Sequence, residues 1–376
     1  MAGVSIKNLS WVYRRRGGKT AALKDANLEI ADREFVVIVG PPGSGKSTLL
    51  RLIAGLETPS QGEISIDGKR MNDLLPKDRD VGMAFQKDAL YPQMSVFENL
   101  AFGLKARKYS VTEIQKRVRD AAGVLGLDDV LTQKPAALSA AQRQRVAVAR
   151  AIGRQPKVVL VDEPLAQLEG LPRKALQMEI SKLHQRLQTT TLFATRNPSE
   201  ALQMADRLVV LNAGVVQQND LPQTIYNQPA NLFVAGFFGD LPMNFVHGLL
   251  KAEGDKFRFR EIDAGTIDII FRPDEQPAST RDYLGKNVIL GIRPEALEVI
   301  AFNRTQSRSA LAFPAIADAV EPTGSGTNLY LETGAHTLLC RSREQFDRQD
   351  AGHRFQFEID LKAVHLFDPI SANRIN

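Results

Sequence analysis

Apolar and polar positions follow two different patterns along the chain. Over roughly the first 230 residues, short unbroken apolar runs alternate with helical patterns. "EFVVIVG" (34–40) predicts a buried strand running into glycines, and "KSTLLRLIAGL" (46–56) an amphipathic helix. "KVVLVDEP", "TTTLFAT" and "DRLVVLNAG" predict further strands. Leu176, Ile180, Leu183 and Leu187 recur at helical spacing, with Gly170 and Pro172 marking the start of that helix. This alternation argues for an α/β layer architecture. It is interrupted from about Ser95 to Leu138, where Val118, Ala121, Ala122, Leu125 and Leu127 form apolar stripes, so a helical subdomain over about 95–155 is expected. Past "NLFVAGFFGD" (231–240) the pattern becomes short alternating strands: "KFRFREID", "TIDIIF", "NVILGIRPEALEVI", "TNLYLETGAHTLLC" and "HRFQFEIDLKAVHLF". A boundary near Gly236 is therefore expected, with one domain over 1–235 and a mostly β, barrel-like domain over 236–376.

Composition narrows the class. The chain has 376 residues, 43% hydrophobic and 24% charged, which is ordinary for a globular protein of two or more domains. Its one cysteine, Cys340, has no partner for an internal disulfide, and a cytosolic location fits. "MAGVSIKNLSWVY" alternates like a strand and lacks the long apolar core of a secretion signal, and no stretch approaches a transmembrane span. Against the net charge of +5, the only dense basic run is Arg14-Arg15-Arg16, beside glycines in a predicted hairpin tip. That run reads as a solvated turn, and no nucleic-acid partner is expected.

Two segments carry chemistry. "GPPGSGKS" (40–47) fits G-x-x-x-x-G-K-[ST], with a strand before it and a helix after it. Backbone N–H groups of such a loop close around phosphate oxygens, and the helix N-terminus adds a favourable dipole. Gly40, Pro41, Pro42, Gly43, Ser44, Gly45, Lys46, Ser47 and Thr48 are therefore candidate ATP contacts; Lys46 would reach the β- and γ-phosphates and Ser47 would bind Mg²⁺. "VVLVDEP" (158–164) is an apolar strand ending in two carboxylates, of which Asp162 is suited to Mg²⁺ and Glu163 to polarising the water that attacks the γ-phosphate. The fold class that follows is an α/β P-loop NTPase domain, and its expected ligands are ATP and Mg²⁺.

The phosphate loop, "LSAAQRQRVAVARA" and "VDEP", in that order and spacing, resemble the nucleotide-binding subunit of ABC transporters. The resemblance is close to the sugar-importer branch, the ATPase subunits of maltose and glycerol-phosphate importers. "GLETPSQGEISIDGKRMND", "FQKDALYPQMSVFENLAFGLK", "GIRPEALEV" and "HLFDP" extend it over nearly the whole chain. It implies that the C-terminal domain is an OB/TOBE-type regulatory extension, and that the chain sits peripherally on the cytoplasmic face of the plasma membrane. The implied partners are a second ATP-binding subunit, the same chain or a paralogue, transmembrane permease subunits and, indirectly, a solute-binding protein. By the same resemblance Tyr13 stacks on adenine, its alternative being a strand aromatic packed on the core. Gln86 touches Mg²⁺ and the attacking water, and Leu90, Tyr91 and Pro92 border the groove that receives a helix of the permease. Ser139 and Gln142 belong to the signature that approaches the partner subunit's nucleotide.

Three positions depart from the family pattern. Ala140 and Ala141 stand where the signature has two glycines, while Ser139 and Gln142 form an S-x-x-Q capping box, so the segment also serves helix stability. Arg196 replaces a histidine that touches the γ-phosphate; a guanidinium there either joins catalysis or merely tightens the ATP-bound ground state. Glu169 ends a loop, "LAQLEG", that in the family ends in aspartate. The sequence thus predicts an energy-coupling ATPase with weakened turnover, the alternative being a catalytically impaired regulatory subunit of a heteromeric transporter.

Overall fold

A computed structural model describes residues 2–15, 18–87, 89–271, 278–300 and 311–375. Arg16 and Gly17, at the tip of the predicted basic hairpin, and Asp88 lie outside the described residues. The chain divides into two units, 1–223 and 224–376.

In the first unit, β1 (Val4–Arg15) and β2 (Gly18–Ile30) form an antiparallel pair. β3 (Phe35–Val39) follows, then α1 (Lys46–Ala54), β4 (Gln61–Ile66), β5 (Lys69–Arg70) and β6 (Val81–Ala84). The helical segment is α2 (Val96–Ala106), α3 (Val111–Val124) and α4 (Ala140–Ile152). After it come β7 (Val158–Asp162), α5 (Gly170–Leu187), β8 (Thr190–Thr195), α6 (Pro198–Met204), β9 (Arg207–Asn212) and β10 (Val215–Asp220). A four-stranded sheet has the order β2-β1-β4-β5, and a six-stranded one β10-β9-β3-β8-β7-β6. Within the larger sheet β9, β3, β8, β7 and β6 are parallel. Their central members β3, β7 and β8 are buried at every position, which is why they read as unbroken apolar runs rather than alternations. The carboxyl ends of β3, β7 and β8 point the same way, so the loops after them share one edge of the sheet, where ligands of open α/β sheets bind.

The second unit begins inside α7 (Pro222–Asn227). Gly236, where the strand pattern starts, lies beyond this division, because α8 (Leu232–Phe237) packs with the strands that follow it. Ala235 shares a small core with Met243, Ile289 and Phe367, and Asn231 bridges to Asn373 near the C-terminus. The strands are β11 (Asn244–Glu253), β12 (Lys256–Glu261), β13 (Asp268–Phe271), β14 (Asn287–Ile292), β15 (Leu297–Ile300), β16 (Ala312–Thr323), β17 (Gly326–Glu332), β18 (Thr337–Ser342), β19 (Arg354–Ile359) and β20 (Val364–Phe367). They form two antiparallel five-stranded sheets, β13-β12-β11-β14-β20 and β15-β19-β16-β17-β18, around one shared apolar core.

Two runs that read as single strands each split between these sheets. "NVILGIRPEALEVI" breaks at a 3₁₀ turn, Pro294–Ala296, where proline has no N–H to continue the ladder. "HRFQFEIDLKAVHLF" breaks at Leu361–Ala363, where the Asp360 carboxylate accepts the Lys362 N–H. These crossovers join the two sheets, as in a small barrel. Cys340 is buried in the shared core, and burial pushes its thiol up to about 12.

Candidate active site

The loop 40–47 connects β3 to α1, and two glycines give it its shape. A side chain on Gly40 would place its Cβ 2.0 Å from the Leu211 carbonyl oxygen. Gly45 caps α1 at φ +108, a conformation costly for other residues. Lys46 is buried, and its Nζ donates to the carbonyls of Gly40 (2.9 Å) and Pro41 (3.0 Å) within the loop. Burial holds its ammonium below the usual lysine range, an effect that the neighbouring Glu163 carboxylate opposes.

β7 delivers the two carboxylates to this loop. The Ser47 hydroxyl donates to Asp162 Oδ1 at 2.8 Å. Burial raises the Asp162 pKa, the Ser47 hydrogen bond opposes this, and the nearby Glu163 charge adds to it. A divalent cation would supply positive charge beside the buried Asp162 carboxylate and the half-buried Ser47 hydroxyl. The donors are hard oxygens, which suit Mg²⁺, and no cluster of three or more His, Cys, Asp or Glu occurs among the described residues. The remaining ligands would therefore come from the nucleotide and water.

Glu163 has φ +44, a left-handed conformation costing about 1–3 kcal/mol for a non-glycine residue. Its N–H donates to Ala194 O at 3.0 Å, which keeps the bend tied to the end of β8. The bend brings its carboxylate among three donors. Lys46 Nζ lies 3.4 Å from Oε1, Gln86 Nε2 donates to Oε2 at 3.1 Å, and Arg196 donates to the same Oε2 from Nε at 3.1 Å and Nη2 at 2.5 Å. Lys46, Ser47, Gln86, Asp162, Glu163 and Arg196, which are far apart in sequence, therefore meet in one cluster. Glu163 is almost fully buried, whereas the Arg196 side chain is 48% exposed and can turn between partners.

The other candidates lie apart from this cluster. Tyr13, half-buried on β1, has its ring 5.4 Å from that of Trp11. Ser139 and Gln142 complete the capping box at the start of α4: Gln142 N–H donates to Ser139 Oγ at 3.2 Å, and Ser139 N–H to Gln142 Oε1 at 2.9 Å. Ala140 and Ala141 are half-buried in the first turn of α4, and Glu169 is exposed just before α5. Tyr91 and Pro92 are exposed, but Leu90 is half-buried. The Tyr91 ring packs 4.6 Å from Phe102 and under the Arg150 guanidinium, beside a cavity of about 260 Å³.

Two buried polar residues that motif reading passed over support the Gln86 segment. Gln144 Nε2 donates to the Gln86 carbonyl at 3.4 Å, linking α4 to the loop after β6. Asn99, fully buried on α2, accepts from Tyr91 N–H at 2.8 Å and donates to the carbonyls of Tyr91, Met94 and Ser95. Each is a lone amide in an apolar helical stripe, Gln144 with Ala147, Val148 and Ala151, and Asn99 with Val96 and Gly103. That contrast is the signal that would have found them.

Comparison with known proteins identifies the family and its domains. Residues 23–166 match the family described as ABC transporter, 242–297 the MalK OB fold domain, and 290–367 the TOBE domain. The oligosaccharides import ATP-binding protein MsmX of Bacillus subtilis is 44% identical over 368 residues, 97% of this chain and 98% of that protein. The trehalose/maltose import ATP-binding protein MalK of Thermococcus litoralis is 40% identical over 382 residues, covering all of both chains. Among solved structures, a dimeric post-hydrolysis ATP-binding cassette bound to ADP and Pi is 33% identical with a TM-score of 0.54, over 58% of this chain and 98% of that one. The chain belongs to the ABC transporter family, as an ATP-binding ABC ATPase with an OB-fold and TOBE extension.

Proposed function

We propose that the chain is the ATP-hydrolysing subunit of an importer for carbohydrate-type solutes, of the sugar or glycerol-phosphate class. It would act as a dimer, with itself or a paralogue, against permease subunits on the cytoplasmic face of the plasma membrane. The observation that carries the ATPase reading is the Glu163 carboxylate held beside Lys46, Gln86 and Arg196 at the phosphate loop. The solute class rests on the names of MsmX and MalK. No helix among the described residues is long and apolar enough to cross a membrane.

In this reading the loop amides and Lys46 bind the β- and γ-phosphates. Ser47, Asp162 and Gln86 would hold Mg²⁺, which neutralises phosphate charge when bound. Glu163 accepts the proton of the attacking water, and Gln86 orients that water. Before it can act, Glu163 must exchange its bonds to Lys46 and Arg196 for the water, and a triphosphate that draws both cations provides the exchange. Tyr13 would stack on the adenine, and the groove beside Tyr91 would seat the permease. To test the import reading, Lys46→Ala is placed in the native host and uptake of labelled maltose, trehalose, oligosaccharides and glycerol 3-phosphate is measured. At least one uptake is expected to disappear; uptake of the whole panel at the parental rate would sink the reading.

Turnover is proposed to be slow because Ala140 and Ala141 put methyl groups where the signature would approach the partner's nucleotide. Restoring glycine at both positions is expected to raise phosphate release severalfold while lowering α4 stability by about 1 kcal/mol per site. The check is phosphate release alongside thermal melting; unchanged release from a folded double variant would mean that the methyls do not obstruct. The second reading, an impaired regulatory subunit, is favoured by the ion pair that holds Glu163 to a permanently charged guanidinium.

A further inference from the structure

The two crossovers that join the sheets of the second unit border an open cavity of about 810 Å³, lined also by α7 and the C-terminal tail. Its basic side chains are Arg293, Lys362 and Arg374, and its carboxylates are Glu295 and Asp360. Both carboxylates already have partners. Glu295 accepts the Tyr226 hydroxyl, and Asp360 accepts the Lys362 N–H. Arg293 is buried and fixed: it donates to the carbonyls of Phe238 and Tyr226 at 2.7 Å each and lies 3.9 Å over the Tyr226 ring.

Two groups lining this cavity, the half-buried Arg374 and the buried His365, have side chains with no hydrogen bond or ion pair among the described residues. Arg374 is delivered by a pinned tail: its own N–H donates to Ala230 O, and the next residue's N–H to Leu366 O. Burial holds its guanidinium below the usual arginine range, and no carboxylate offsets that cost. His365 is 6% exposed, lines the cavity, and its ring nitrogens make no hydrogen bond among the described residues. Burial, reinforced by Arg374 and Arg293, pushes its pKa down to about 4, so at neutral pH the ring is uncharged and offers one N–H and one lone pair. A half-buried guanidinium with no carboxylate partner beside an uncharged imidazole leaves donors free to receive an anion in place of water.

We propose that this cavity is a binding site for a small oxyanion-bearing molecule, a phosphate ester or a carboxylate, whose anionic group pairs with Arg374 and accepts from His365. The volume accommodates a small metabolite as well as its charged group. Guanidinium geometry suits both kinds of oxyanion, through two parallel N–H donors. The site lies wholly in the second unit and stands whether or not the import reading holds.

The test is calorimetric titration of the full chain with Mg-ADP saturating the phosphate loop, so that added anions cannot be counted there. Glucose 6-phosphate, inorganic phosphate and citrate serve as probes, with glucose as the uncharged control. At least one anion is expected to bind saturably with a stoichiometry of one, and glucose not at all. A phosphate-ester preference would appear as glucose 6-phosphate over citrate, and a carboxylate preference as the reverse. Arg374→Gln is expected to weaken binding at least tenfold, His365→Gln severalfold, and Arg374→Lys less than Arg374→Gln. The Arg374 side chain makes no hydrogen bond or ion pair among the described residues, so melting of ligand-free Arg374→Gln should stay close to the parent. Absence of saturable heat with all three anions, or equal affinity in the parent and Arg374→Gln, would overturn the proposal.

Discussion

Glu163→Gln is expected to lower phosphate release from Mg-ATP by about 10²–10⁴-fold, the usual contribution of a positioned general base. The substitution is isosteric, so the bend at φ +44 and the tie to Ala194 persist, and only the anionic acceptor is lost. Nucleotide binding should survive and strengthen. Lys46 and Arg196 both face the Glu163 carboxylate, and burial, with a smaller contribution from the guanidinium, depresses the ammonium pKa. Without the carboxylate, the triphosphate becomes their natural counter-ion. The measurement is phosphate release at a concentration that supports dimers, beside binding of a fluorescent ATP analogue. Release unchanged from the parent would show that Glu163 is not the base and would turn the reading toward the regulatory subunit.

What the sequence made legible follows from distance along the chain. The phosphate loop is a contiguous strand, turn and helix, and its glycines, lysine and serine identify themselves without reference to other segments. The helical stripe of α5 was equally local: Leu176, Ile180 and Leu183 are buried at the predicted spacing. The capping box at Ser139 and Gln142 could be read because its two bonds span three residues. Beyond such distances the reading failed in particular ways. Alternation predicts a strand but not its sheet, so the runs around Pro294 and Leu361 each read as one strand, although each serves two sheets. The start of the second unit depends on Asn231 meeting Asn373, a pairing that no local pattern reveals. Gln144 and Asn99 were visible only as polar interruptions of apolar stripes, and their role lies in the loop carbonyls they meet. Arg196 stood out as an unusual residue, but that it grips Glu163, 33 positions earlier, required the parallel pairing of β7 with β8.

Arg196→Ala is expected to lower kcat for ATP about 10–100-fold, with KM for ATP changing less than threefold. The guanidinium has two competing anions, the Glu163 carboxylate it now holds and the γ-phosphate that would enter beside Lys46. A hydrogen bond to a charged group contributes about 1.5–3 kcal/mol, which corresponds to that range of rate if the bond is made to charge developing in the transition state. If the same bond is made equally to bound ATP, KM rises and kcat stays, and Arg196 is then only a binding residue. Arg196→His separates the charge from the position. Arginine stays protonated throughout the working pH range, so the parent should show no limb from this position, whereas the histidine variant should gain one near its ordinary pKa of about 6.5. Activity of the variant that rises as pH falls through that limb would assign the function to the positive charge. A flat profile at parental rate would assign it to hydrogen bonding alone. A rise of kcat in Arg196→Ala would mean that the ion pair is a brake on Glu163, and would place the proposed slowing of turnover in the active-site cluster rather than at Ala140 and Ala141.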